Sequence, residues 1–305
     1  MRIILIGQAA FAEKVLDGLR ANSHTTAAVY CPADSGAKPD PVKARALALN
    51  VPVRQHVSLK RAEVREEFQA LKADLAVLAY VTQIVPESVF AVPRLGSICF
   101  HPSLLPKYRG GSALNWQIIK GETETGVSVF RVDPGIDTGP ILLQKRATIG
   151  PDDTAGSLYY DTLFPLGVDA VLESVELIAA GKAPRAPQDE SQASYDPLCR
   201  DAHALIDWSR PIGEVYNLVR GCDPQPGAYT AFKGEKLRLY DARTLADGGR
   251  FRPGIVAEVG SEGILIGGHG GALRAARVRF GAQKVDAAAF AAAHGVTAGT
   301  RLGAP

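Results

Sequence analysis

Short apolar runs that alternate with helix-periodic stretches fill the first half of the chain, and this pattern constrains the fold most. Residues 2–6 form an apolar run closed by Gly7, and apolar residues then recur at the spacing of one helix face: Phe11, Val15, Leu16 and Leu19. The same alternation predicts strands at 25–31, 51–53, 75–80 and 96–100 and helices at 42–49, 61–73 and 112–120. Strands that alternate with helices indicate a Rossmann-like α/β fold with a mostly parallel sheet.

Two further apolar segments, 127–132 and 140–149, are predicted to add antiparallel strands to this sheet. Residues 153–180 form a long amphipathic stretch interrupted by Pro165 and closed by Gly181, so we expect one or two helices there. The following sequence, GKAPRAPQDESQASYDP, is rich in proline and polar residues and is typical of a linker.

The last third of the chain has a different pattern. Residues 212–220 predict a helix, and the segments KLRLYDA, GIVAEV, GILIGG and ALRAARVRF are short alternating runs punctuated by glycine. Such runs are typical of a small β-barrel, here OB-like, and DAAAFAAAHG predicts a closing helix. We therefore predict a catalytic domain at 1–185, a linker at 186–202 and a small β-barrel domain at 203–305.

Composition excludes several classes of protein. Hydrophobic residues make up 46% of the chain, which is enough for a packed core, and a net charge of +2 gives no general reason to expect nucleic-acid binding. The four cysteines form no CxxC pair, which argues against a structural zinc site or a disulfide framework, so we expect no metal. The first apolar run is too short for a signal peptide or a membrane span, and these features together predict a cytoplasmic protein without a membrane partner.

His101 lies where a predicted strand ends. Ligands of open α/β sheets sit outside the carboxyl ends of the strands, so this position is a functional one. The alternative is a histidine that only caps the following turn. Gly7 also ends a strand, but GQAAFA lacks the second and third glycines of a dinucleotide fingerprint, and we interpret it as a plain tight turn.

The second motif is VDPGIDTGPIL at residues 132–142, a tight polar loop between two apolar strands. Taken alone, Asp137 is most simply a turn residue that binds its own backbone. Together with His101 it forms a histidine–carboxylate pair suited to general acid–base catalysis. Ser103 lacks a nucleophile elbow, and we expect its hydroxyl to bind backbone instead.

The two motifs HPSLLPKYRG and DPGIDTGPIL resemble the signature of the folate-dependent formyltransferases, and the resemblance runs over most of the chain. The family includes methionyl-tRNA formyltransferase, sugar-amine formyltransferases and the hydrolase domain of 10-formyltetrahydrofolate dehydrogenase, and the chain resembles the last most. The resemblance implies a formyltransferase fold and 10-formyltetrahydrofolate as the formyl donor. It also implies that His101 stabilises the oxyanion and donates a proton, while Asp137 orients His101 and manages the proton of the nucleophile.

The resemblance further implies a folate pocket in which apolar side chains supply area and backbone groups supply orientation. Its expected residues are Val81, Gln83, Ile84, Val85, Ser103, Leu104, Leu105, Pro106, Asp133 and Gly135. For residues 81–85, the end of a core strand is an equally good interpretation.

Cys99 departs from the pattern, because many transferases of this family carry asparagine two residues before the histidine. A thiol is a weak donor for an oxyanion, and we interpret Cys99 as a buried strand residue rather than a nucleophile. The hydrolase domain similarly lacks that asparagine.

The expected acceptor of the formyl group is water, a small amine or a carrier-bound group; a sugar amine as acceptor and a folate-binding module that has lost catalysis are further alternatives. A tRNA is disfavoured, because the loop at residues 32–41 has Lys38 as its only cation, where tRNA formyltransferases carry a longer basic loop. The modest basic excess after residue 203 is typical of a solvated face.

Overall fold

The computed structural model describes residues 1–34, 36, 38–246 and 250–303. Its chain divides into two compact units. The first unit contains Met1–Gly111, Thr125–Ala147 and Asp161–Asp196, and the second contains Ser112–Glu124, Thr148–Tyr160 and Pro197–Pro305. The boundaries near 185 and 203 derived from the sequence stay a prediction.

A seven-stranded sheet forms the centre of the first unit. Its strands are β1 (Arg2–Gly7), β2 (Thr25–Tyr30), β3 (Val53–Arg54), β4 (Leu75–Ala79), β5 (Ser97–His101), β6 (Glu124–Arg131) and β7 (Ile141–Thr148). The order is β3-β2-β1-β4-β5-β6-β7, with parallel pairing from β3 through β5 and antiparallel pairing of β5 with β6. The predicted Rossmann-like sheet is confirmed, since each parallel crossover carries a helix.

The helices between these strands are α1 (Ala9–Ala21), α2 (Pro41–Ala48), α3 (Ala62–Leu71) and α4 (Glu87–Phe90). The predicted apolar face of α1 is buried, and Phe11 on it stacks on Phe100 of β5 with ring centroids 4.4 Å apart. Gly7 is required by packing: a Cβ there would lie 2.2 Å from the carbonyl oxygen of Ala79 on β4. Packing of β1 against β4 thus explains the glycine, and the tight turn derived from the sequence stays a prediction.

The predicted interruption of the 153–180 stretch is present. A short helix α6 (Ala155–Ser157) leads into a π-helical segment, Leu158–Leu163, and α7 (Phe164–Ala179) follows with Pro165 in its first turn. Proline is tolerated there because the first amide groups of a helix have no partner within it. Gly181 follows the helix with a φ of +67°.

A second, antiparallel sheet forms the centre of the second unit. Its strands are β8 (Tyr229–Phe232), β9 (Glu235–Ala246), β10 (Val256–Gly260), β11 (Gly263–Gly268), β12 (Gly271–Phe280) and β13 (Gln283–Asp286). They follow the order β10-β11-β12-β9-β8, with β13 paired to β12. The helices of this unit, besides α6, are α5 (Ala113–Ile119), α8 (Ile212–Gly221) and α9 (Ala287–His294), so the predicted closing helix is present.

Residues 181–203 carry little regular structure, as the sequence indicates, with single 3₁₀ turns at Glu190–Gln192 and Asp201–His203. Isolated bridges nevertheless pair Ala186 with Ile141 and Tyr195 with Arg109. Part of this stretch therefore lies against the start of β7 and the loop at Arg109 instead of running free through solvent.

None of the described helices is long and apolar enough to cross a membrane.

Candidate active site

His101 is the last residue of β5, at the edge of the sheet where the parallel strands end. Asp137 lies in the loop between β6 and β7, and the structure brings the two side chains together, with His101 Nδ1 3.5 Å from Asp137 Oδ2. Both side chains are well covered, at 7% and 18% exposure. The two motifs singled out in the sequence thus meet at one sheet edge.

The imidazole of His101 is held between two acceptors. Its Nδ1 faces the Asp137 carboxylate, and its Nε2 lies 2.7 Å from the carbonyl oxygen of Tyr108. A neutral ring carries one N–H and satisfies one of these acceptors, whereas the doubly protonated ring donates to both. Each ring nitrogen of His101 therefore faces an acceptor, and the Asp137 carboxylate lies next to the ring.

Asp137 is fixed by backbone groups. Its φ is +55°, a left-handed conformation that is unfavourable for a residue with a side chain. The amide N–H of Gly110 donates to Oδ2 at 2.8 Å. Earlier in the loop, Asp133 accepts from the Gly135 amide at 3.1 Å and the Thr138 hydroxyl at 2.7 Å, so this carboxylate shapes the turn that presents Asp137.

The turn after His101 is built by buried hydroxyls. Ser103 donates from Oγ to the carbonyl oxygen of Lys107 at 2.7 Å. Ser128 on β6 donates to the Ser103 carbonyl at 2.7 Å and accepts from the Leu105 amide at 3.1 Å. The Ser103 hydroxyl is thus engaged with backbone and fully buried, and it does not present a nucleophile.

The other residues of this turn that we expected to form a wall differ in burial. Leu105 is buried, while Leu104 and Pro106 are partly exposed.

Residues 80–85 follow β4, and their side chains point in different directions. Val85 packs in the core of the first unit, whereas Ile84 is 68% exposed. Val81 and Gln83 line a cleft with Gly7, and the Thr82 hydroxyl donates to Gln8 Oε1 at 3.3 Å. The structure therefore does not bring the whole predicted 81–85 group into one pocket.

The far wall of this cleft was missed by the sequence analysis. It is lined by residues at or beyond the ends of β1, β2 and β3 at the same edge: Gln8, Tyr30, Cys31, Pro32, His56 and Leu59. The signal available in the sequence was the position of Cys31 at the end of one predicted strand and of His56 just beyond another.

Cys99 lies two residues before His101 and therefore on the same face of β5. It packs against the core cluster that contains Tyr30 and Phe68. Burial, followed by the nearby negative charge of Asp137, raises the pKa of the Cys99 thiol. The thiol stays protonated near neutral pH, which supports the interpretation of Cys99 as a strand residue and not a nucleophile.

Among the described residues, no group of three or more His, Cys, Asp or Glu side chains is arranged to hold a metal ion.

Comparison with known proteins finds relatives over most of the chain. The chain is 39% identical to the methionyl-tRNA formyltransferase of Geobacter sulfurreducens over 310 residues, covering 99% of this chain and 97% of that protein. It is 38% identical to the mitochondrial 10-formyltetrahydrofolate dehydrogenase of Mus musculus over 295 residues, covering 92% of this chain and 32% of that protein. The chain thus spans about a third of the dehydrogenase and nearly the whole of the tRNA enzyme, at equal similarity.

A solved structure shows the same fold. HypX from Aquifex aeolicus, in complex with tetrahydrofolic acid, superposes with a TM-score of 0.72 at 22% identity, covering 95% of this chain and 47% of that one. Residues 1–167 match the family described as formyl transferase, and residues 199–295 match the formyl transferase C-terminal domain. The predicted resemblance is confirmed: this chain belongs to the formyl transferase family of enzymes.

Proposed function

We propose that this protein removes the formyl group from 10-formyltetrahydrofolate, with His101 and Asp137 as its catalytic residues. The observation that carries the proposal is the buried pair itself, with 3.5 Å between His101 Nδ1 and Asp137 Oδ2. A proton donor and a carboxylate in contact at the end of a strand are what formyl removal requires.

The reaction needs help at two points. A nucleophile adds to the formyl carbon and gives a tetrahedral oxyanion, and the C–N bond to the folate then breaks as that nitrogen takes a proton. His101 stabilises the oxyanion and donates the proton, and Asp137 accepts the proton of the nucleophile. A positioned acid or base contributes about 10²- to 10⁴-fold, and removal of one oxyanion donor costs about 2.7 to 4 kcal/mol.

We assign the folate to the segments that flank this pair. Two exposed apolar side chains support the assignment: Ile84 at 68% exposure in the 80–85 segment and Ile136 at 51% in the 133–137 loop. An apolar side chain next to a polar pair is suited to contact with a flat ring. Of the residues named in the sequence analysis, we propose Val81, Gln83 and Ile84 on one segment and Asp133 and Gly135 on the other as the binding residues.

Water is the acceptor we propose, which gives tetrahydrofolate and formate. The side chain at position 99 supports this choice. Many transferases of this family carry an asparagine there, whose amide is a good donor, whereas this chain has Cys99, a thiol with a raised pKa and a weak donor. The loop at 32–41, with Lys38 as its only cation, is also poorly suited to phosphates. A small amine or a carrier-bound group would add to the formyl carbon in the same way as water and is the alternative acceptor.

Formylation of methionyl-tRNA is the second candidate. One observation favours it: the 39% identity to the tRNA enzyme of Geobacter sulfurreducens extends over 97% of that protein.

The test follows the loss of 10-formyltetrahydrofolate by absorbance, first without acceptor and then with charged initiator tRNA. Formate release without acceptor, abolished in His101→Ala, supports hydrolysis. Turnover that begins only when tRNA is added assigns the tRNA reaction instead. An enzyme that consumes the folate under neither condition, although it binds it, contradicts both.

A further inference from the structure

The residues around Gln188, in the proline-rich stretch after α7, bind the loops that hold the catalytic pair. Gln188 Nε2 donates to the carbonyl oxygens of Asp137 and Gly139, each at 2.8 Å. Its Oε1 accepts from Arg109 Nη2 at 2.8 Å and from Arg109 Nε at 3.2 Å. Both amide hydrogens and both lone pairs of the Gln188 side chain are therefore used.

Arg109 joins Gln188 to the residues that touch the catalytic pair. It is 7% exposed and forms a bidentate ion pair with Glu190, at 2.9 and 2.7 Å, which raises the pKa of the guanidinium and lowers the pKa of the carboxyl. Its chain neighbours are Tyr108, whose carbonyl binds His101, and Gly110, whose amide binds Asp137. The two residues that flank Arg109 thus contact the two side chains of the pair, Tyr108 contacting His101 and Gly110 contacting Asp137.

Ser194 holds the same three-residue run from its backbone side. Its Oγ accepts from the Tyr108 amide at 2.8 Å, its carbonyl oxygen accepts from the Arg109 amide at 2.9 Å, and its amide donates to the Pro106 carbonyl at 3.2 Å. The loop that carries the acceptor for His101 is therefore fixed at successive residues.

The backbone at Asp137 explains why such fixing matters. A residue other than glycine in a left-handed conformation costs about 1 to 3 kcal/mol and persists only where its surroundings determine it fully. Gln188 binds the carbonyl oxygen of Asp137 and that of Gly139, two residues later. One side chain thus holds the peptide groups on the C-terminal side of the strained residue.

We propose that Gln188 is a positioning residue for the His101–Asp137 pair, acting through the two carbonyls it binds in the Asp137 loop and through Arg109. The inference rests on the proposed catalytic role of that pair. Without the amide, the Asp137 loop loses two hydrogen bonds, and the carboxylate moves relative to the imidazole. A displacement of about 1 Å in a catalytic group lowers rates by about 100-fold.

Two substitutions separate positioning from simple filling of space. Gln188→Glu keeps the size and the acceptor for Arg109 but replaces the amide donor by an oxygen that faces two carbonyls. Gln188→Ala removes all four bonds. We expect kcat for formyl removal to fall about 10- to 100-fold in both, with KM for the folate within about three-fold of wild type. The matched control is Gln192→Ala, since Gln192 is exposed and its amide donates to Asp189 at 3.1 Å.

A second readout does not depend on turnover. The ring-nitrogen chemical shifts of His101, measured by NMR with ¹⁵N-histidine and assigned with His101→Gln, should move in both Gln188 variants and stay unchanged in Gln192→Ala. The proposal requires both effects. Unchanged shifts, a kcat within two-fold of wild type, or unfolding of both Gln188 variants would overturn it. If wild type does not remove the formyl group under any condition, the proposed function fails, and the His101 shifts still test whether Gln188 positions the pair.

Discussion

The charge of Asp137 can be removed without changing the shape of its side chain. In wild type, Oδ2 accepts from the Gly110 amide at 2.8 Å and faces His101 Nδ1 at 3.5 Å. In Asp137→Asn the side-chain oxygen keeps its place toward Gly110, because an amide nitrogen there would oppose another donor. The substitution therefore keeps the hydrogen bond that orders the loop and removes the negative charge next to the imidazole.

The size of the effect follows from the distance. Unit charges 3.5 Å apart interact by about 5 kcal/mol at an effective dielectric constant of about 20. Each factor of ten in rate corresponds to about 1.36 kcal/mol, so the upper limit is between three and four orders of magnitude. The general range for a positioned acid or base, about 10²- to 10⁴-fold, agrees with this limit. We expect kcat to fall by about 10²- to 10⁴-fold while the affinity for the folate changes by about three-fold or less.

The assay is steady-state loss of 10-formyltetrahydrofolate, together with folate binding measured by intrinsic fluorescence. Asp17→Asn is the matched control, because the substitution makes the same chemical change outside the site. Asp17 lies on α1 and pairs with Arg45 of α2 at 2.6 Å. We expect the control to keep wild-type kcat. A folded Asp137→Asn enzyme that keeps more than a tenth of the wild-type kcat would refute the role assigned to the charge.

Three further predictions concern other parts of the molecule. If oxyanion stabilisation limits the rate, Cys99→Asn raises formyl transfer to an added amine, and an unchanged or lower rate contradicts that account. Gly7→Ala places a methyl group 2.2 Å from a backbone oxygen and should lower the free energy of unfolding, measured by urea titration, by about 1 to 3 kcal/mol. Its control is Gly213→Ala, which adds a methyl group in open space on a helix and should raise the free energy of unfolding by about 0.4 to 1 kcal/mol. Burial raises the pKa of Cys31 to about 11, so the fold favours its protonated form. The contribution of the protonated Cys31 thiol to the free energy of unfolding is complete below pH 9 and is lost as pH rises towards 11, by about 1.4 kcal/mol per pH unit at most. Cys31→Ala should remove this part of the pH dependence of the free energy of unfolding.

The contact between His101 and Asp137 was predictable because its signals are local. His101 ends an apolar run that had to be a strand, and the carboxyl ends of parallel strands share one edge of the sheet. Asp137 lies in a glycine-rich loop between two apolar segments, so the topology predicted for those segments brings it to the same edge. Neither inference needed a contact between distant polar residues.

Gln188 was not predictable in this way. Its partners lie 51 and 79 residues earlier in the chain, at Asp137 and Arg109. A polar residue in a proline-rich stretch has no periodicity that distinguishes a partly buried, fully bonded amide from a solvated one.

The 81–85 segment was only partly predictable for a related reason. Beyond the end of β4 no repeat determines where a side chain points, and Ile84 and Val85 are adjacent yet exposed and buried respectively.

The interleaved composition of the two units affects how the protein can be divided. Each unit is assembled from three separate pieces of chain. Ser112–Glu124 and Thr148–Tyr160 belong with the later residues, and within that unit Asn115 donates to the carbonyl of Gly221 at 2.8 Å and Arg220 donates to the carbonyl of Asp153 at 3.0 Å. A recombinant fragment that stops at 185 would keep both pieces without these partners and would lack Gln188 as well. No single cut yields two self-sufficient fragments, so domain exchange between relatives has to transfer these short segments together with the carboxy-terminal half.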